Sequence, residues 1–138
     1  MITLEYMPGR ERPRLSRAAL EEAAALVGKT LGVRTTLPVS VALVGKSAMQ
    51  KLNHAYRGVD APTDVLSFSY DDEEVFGEVV ICPAIAKGQA QAEGIAVRTE
   101  LLTLFVHGLL HLFGFDHIRA KDARVMIPLQ ERILARLL

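Results

Sequence analysis

The stretch Phe105-Val-His-Gly-Leu-Leu-His-Leu-Phe-Gly-Phe-Asp-His117 constrains this chain most, because it gathers three of the four histidines into one apolar run. His107 and His111 are four positions apart, so on a helix their Cβ atoms stand roughly 5–6 Å apart on one face. At about 100° per residue, Glu100, His107 and His111 fall in one narrow arc with Thr103 beside them. The remaining positions are mostly Leu, Phe and Val, which predicts a helix buried almost all round with a thin polar stripe. Buried imidazoles facing one another need partners, and a shared metal ion supplies one. Gly114 can end the helix in a left-handed conformation and turn His117 back as a third ligand. Three histidines with an open fourth position are the arrangement of a catalytic zinc rather than a closed structural one. The bland alternative, core histidines bonded to backbone, suits one histidine better than three at this spacing.

The rest of the composition narrows the setting. The 138 residues make one domain by length, with half of them apolar and a mean hydropathy of +0.23, which argues against disorder. Lys+Arg and Asp+Glu balance at 16 each, so no global positive field advertises a nucleic-acid partner. Any such binding must rest on local cations. The single cysteine, Cys82, excludes an internal disulfide and fits a reducing compartment. No signal-peptide pattern opens the chain and no apolar run is long enough for a bilayer, so a cytoplasmic protein without a membrane is the expectation.

Periodicity predicts an α+β single domain, β-α-β-α-β-β-α-α-α. Ile2, Leu4 and Tyr6 alternate with polar residues as a strand closed by Pro8-Gly9. Ser16 is a candidate N-cap for a helix over Arg17–Leu31. Residues 39–44 read as a strand, and this strand–helix–strand order predicts parallel pairing. Ser47 should open a helix stopped by Gly58; residues 65–70 and 77–82 should form a hairpin over the acidic loop 71–74, read as a solvated turn. Pro83 suits the first turn of a helix to about Glu93. The histidine helix should start near Arg98, and a last helix over 121–137 should be kinked or divided by Pro128.

The spacing His-x3-His-x5-His echoes the zinc-peptidase signature His-Glu-x-x-His-x-x-Gly-x-x-His. Here the glutamate that would act as base is replaced by Gly108. The chain shares a metal-binding pattern with those peptidases but lacks their proton acceptor.

Two long segments carry a further resemblance. His107-Gly-Leu-Leu-His-Leu-Phe-Gly-Phe-Asp-His117 resembles the His-Gly-x-Leu-His-Leu-x-Gly-Tyr-Asp-His signature of the YbeY endoribonucleases. Leu52-Asn-His-Ala-Tyr-Arg-Gly-Val-Asp-Ala-Pro-Thr-Asp-Val-Leu-Ser-Phe68 resembles that family's other block, and Gly77-Glu-Val-Val-Ile81 its Gly-Asp-Ile-x-Ile strand. Phe115 for tyrosine, Glu78 for aspartate and Pro128 in the last helix are the departures. The resemblance implies a mixed sheet of about four strands packed with helices. It further implies a single-strand-specific, metal-dependent endoribonuclease acting in maturation of the small-subunit (16S) rRNA 3′ end and in ribosome quality control. Its one zinc ion would be carried over onto His107, His111 and His117, and its functional arginine onto Arg57.

Phosphodiester cleavage gathers negative charge on phosphorus and calls for a Lewis acid and a fixed cation. A metal can polarise a phosphoryl oxygen or activate water, and the planar fork of Arg57 suits a phosphate. Asp60, Asp64, Glu78 and Asp116 are candidates for accepting the proton; Asp116 can instead orient an imidazole, and Asp64 can brace its turn. Glu100 is a candidate for supporting the ligands or simply sits at a helix start for the dipole. Asn53 is expected to brace the Pro62-Thr63-Asp64 turn and His54 to be an ordinary exposed histidine. Ser67 and Cys82 are expected to pack rather than react. Two other readings stand beside this one: a non-catalytic zinc-containing ribosome-assembly factor, to which the neutral net charge gives weight, and another metal-dependent hydrolase, including a peptidase, against which Gly108 speaks. A ribosomal protein partner would reconcile neutrality with single-stranded RNA and the ribosome as targets. Three imidazoles also accept nickel, copper or cobalt.

Overall fold

The computed structural model describes residues 1–70, 72, 74–115 and 120–138. Among these the elements run β1 (Ile2–Met7), α1 (Arg17–Leu31), β2 (Leu37–Leu43), α2 (Lys46–Arg57), β3 (Val65–Ser69), β4 (Gly77–Ile81), α3 (Pro83–Glu93), α4 (Val97–Leu112) and α5 (Ala120–Leu137). That is the predicted order and the predicted α+β class. Ser16 caps α1 as expected, its hydroxyl accepting from the Ala19 N–H at 3.1 Å. The α2 helix starts at Lys46, with Gly45 rather than Ser47 at its N-cap. It stops at Gly58, whose φ of 72° is open to glycine and leaves Arg57 as the last helical residue.

The sheet order is β1-β2-β4-β3. β1 pairs parallel with β2, β2 parallel with β4, and β3 antiparallel with β4. The mixed sheet follows from the chain: the α1 crossover joins the parallel β1 and β2, α2 carries the chain from β2 to the far edge as β3, and a short hairpin loop returns it as β4, parallel to β2. β2 begins two residues before the expected 39. Pro38 is tolerated because it stands near the strand start, and its carbonyl still accepts from the Phe76 N–H at 2.7 Å.

Alternation along the strands assigns the two faces. Val39, Val41, Val79 and Ile81 join α1, α4 and α5 in the main core, whereas Leu66, Val80 and Cys82 face Met49 of α2. α4 is the central helix: Leu102, Phe105, Leu109 and Leu110 are almost fully buried, each worth about 1.5–3 kcal/mol relative to exposure. The exposures along its polar stripe match the sequence reading, with Thr103, His107 and His111 half-buried and Glu100 buried. α5 continues through Pro128, which lies exposed on its outer side, so the proline does not divide the helix. Among the described residues no single helix is long and apolar enough to cross a membrane.

Candidate metal and phosphate site

β3 is an edge strand, and a cavity of about 620 Å³ runs along it beneath α4. Arg57, Thr63, Asp64, Ser67, Ser69, Thr103, His107 and His111 supply its polar lining. Arg57 reaches it from the C-terminal end of α2, the helix on the other face of the sheet. The loop after Gly58 is what makes this approach possible, and Asn53 holds that loop. Its Nδ2 donates to the Ala61 carbonyl at 2.8 Å, the bracing role expected of it.

The two histidines project from the last turns of α4 with ring centroids 4.6 Å apart and planes inclined by 71°. Their Nε2 atoms converge to 3.0 Å. On the far side of the first ring, His107 Nδ1 lies 2.8 Å from Gln130 Oε1 on α5. His117 and Asp116 lie outside the described residues; within them no third metal-binding side chain joins the pair.

Gly108 does more than lack the peptidase base. Its carbonyl accepts from the Ser67 hydroxyl at 3.0 Å, tying α4 to β3. A Cβ at this position would stand 2.7 Å from Val79 Cγ1 and 3.2 Å from Ser67 Oγ. The glycine is therefore where the helix presses onto the sheet. A side chain here would enter that contact.

The carboxylate candidates separate. Asp64 lines the cavity, but its Oδ1 accepts from the Val65 N–H at 2.7 Å and the Thr63 hydroxyl at 3.3 Å, and its Oδ2 from Gln89 at 3.2 Å. It braces its turn. Glu78 is not brought to the histidines: Val79 takes the α4 side of β4, so Glu78 points to the opposite face, where it bears on Tyr70. Asp60 accepts from Gln50 and does not line the cavity. Cys82 is fully buried on the α2 side, and His54 is exposed.

Glu100 sits two turns before His107 and is 7% exposed. Burial pushes its carboxyl above the ordinary range, and the like charges of Glu93 and Asp64 push the same way. A carboxyl whose pKa is higher folded than unfolded binds its proton more tightly in the folded state. Its stabilising contribution is then full at low pH and is lost as pH rises through the unfolded and folded values. Glu100→Gln is accordingly expected to raise the melting temperature at neutral pH, with the gain vanishing below the carboxylate range. Calorimetry across that range reads the difference; a gain independent of pH would contradict it.

An α+β domain with paired imidazoles and an arginine over one edge-strand cavity is the class that fold and site define. The family profile described as Endoribonuclease YbeY matches residues 11–138. The Endoribonuclease YbeY of Geobacillus kaustophilus is 43% identical over 130 residues, covering 85% of this chain and 81% of that protein. That of Moorella thermoacetica is 38% identical over 144 aligned positions, covering 95% and 90% respectively. The solution structure of TM1509 from Thermotoga maritima superposes with a TM-score of 0.68 at 30% identity, covering 99% of this chain and 89% of that one. The chain belongs to the Endoribonuclease YbeY family.

Proposed function

We propose that the chain is a metal-dependent endoribonuclease that cuts single-stranded RNA. Its proposed place is the maturation of the small-subunit rRNA 3′ end and ribosome quality control, in the cytoplasm. One zinc ion would be held by His107, His111 and His117. The observation that carries this reading is that the converging imidazoles and the Arg57 guanidinium line the same cavity.

The residues fit such an ion. Two imidazole Nε2 atoms 3.0 Å apart are close enough to share one ion, and neutral imidazole suits zinc. When bound, the ion would act as a Lewis acid toward a phosphoryl oxygen and lower the pKa of water. The chain's own residues do the rest. Arg57 holds the phosphate through two parallel N–H bonds and faces the charge that develops on it. Ser69, Thr63 and Thr103 line the cavity; the Thr63 and Thr103 hydroxyls donate to Asp64 and to the Thr99 carbonyl, which leaves the Ser69 hydroxyl to donate to a sugar–phosphate strand. Asp64, held by three donors, fixes the turn that places Thr63 and Val65. With balanced charges the chain exerts little long-range attraction on RNA, so a ribosomal protein partner is proposed to deliver the substrate.

Chelator treatment is expected to stop cleavage of a single-stranded RNA and added zinc to restore it. Stripped protein cutting as fast as loaded protein would sink the reading. A loaded protein that cuts nothing but melts far lower when stripped would favour a structural zinc in an assembly factor. Turnover of a peptide library would instead revive a hydrolase of another kind.

A further inference from the structure

Gln130 touches the site from α5, a helix that supplies neither of the two described histidines. Its Oε1 lies 2.8 Å from His107 Nδ1, across 23 positions of chain. An amide oxygen only accepts, so this hydrogen bond requires the imidazole hydrogen to be on Nδ1. A neutral ring with its hydrogen there carries its lone pair on Nε2. That is the atom turned toward His111, at 3.0 Å. The reversed amide would donate to Nδ1, leave the hydrogen on Nε2 and block the atom a metal needs. Gln130 is half-buried, and Met126 and Ile133 on the same helix are anchored in the core at 1% exposure each. The acceptor is thus held by packing that has nothing else to do with the site.

We propose that Gln130 is a positioning residue that locks His107 in the Nδ1–H tautomer and so presets its Nε2 as a metal ligand. The inference rests on the metal-binding reading above and assigns a second helix to it.

The test uses the full chain, ¹⁵N-labelled at histidine, with zinc as the probe. In metal-free wild type the His107 ring is expected to show its hydrogen on Nδ1. Gln130→Leu should lose that preference and weaken zinc binding by about 10–100-fold, with little change in melting temperature. Gln130→Glu, which keeps an acceptor oxygen, should return zinc affinity close to wild type. A wild-type His107 with its hydrogen on Nε2 overturns the proposal without any variant. So does a Gln130→Leu protein that binds zinc as tightly as wild type, in which case the metal reading survives. Wild type that fails to bind zinc removes the metal reading and this proposal together.

Discussion

Arg57→Glu should bring cleavage of single-stranded RNA below detection while leaving both the fold and zinc affinity in place. The arginine is exposed at the end of α2 and has no ion pair among the described residues, so its removal should shift stability by no more than about 0.5 kcal/mol. Its effect falls on the transition state. Losing one well-placed donor to a developing oxyanion typically costs about 10²–10³ in rate, which is the loss expected for Arg57→Ala. Reversal to glutamate adds repulsion of the phosphate and should go further. Arg57→Lys should fall between wild type and alanine, because it keeps the charge and loses the planar fork. Single-turnover cleavage, read beside zinc affinity and melting temperature, separates these effects. His111→Ala provides the contrast, since it should lose cleavage together with zinc affinity. An Arg57→Glu protein that cuts at the wild-type rate would remove the arginine from the chemistry.

What could be read from the chain and what could not divide along physical lines. Element order was legible because its signals are local: the Ser16 hydroxyl on the Ala19 N–H, Gly58 at positive φ, Pro83 opening α3. The histidine pair was legible because the helical period alone puts positions four apart on one face. Gln130 was not, because its contact with His107 depends on how α5 lies along α4. Glu78 is a proton-acceptor candidate by sequence because a strand pattern gives two faces without saying which one meets α4; the structure turns Val79 that way and Glu78 the other. Asn53 fell between the two, its brace onto Ala61 being only eight residues distant.

Gly108 is where sequence and structure differ most usefully. Supplying the peptidase glutamate there is expected to unfold the protein, not to create a peptidase. Elsewhere in a helix, alanine for glycine is stabilising by roughly 0.5–1 kcal/mol. Gly88 on α3 is exposed with nothing within 4 Å of an added Cβ, so Gly88→Ala should show that gain. At Gly108 the added Cβ would meet Val79 Cγ1 at 2.7 Å, and valine is stiff about χ1, so helix and sheet must separate. Overpacking of that kind costs about 1–3 kcal/mol, which exceeds the propensity gain and makes Gly108→Ala net destabilising. Glutamate adds an ionised carboxyl driven into an apolar contact, a penalty of several kcal/mol against a total stability of about 5–15 kcal/mol. Urea denaturation of the two alanine variants should therefore show opposite signs. Equal stabilisation of both would mean that α4 is not pressed onto β4 at this point. Because His107 flanks the strained position and His111 follows within one turn, the lift that accommodates alanine must also move the imidazoles. Gly108→Ala should thus bind zinc more weakly than wild type under conditions where it is still fully folded.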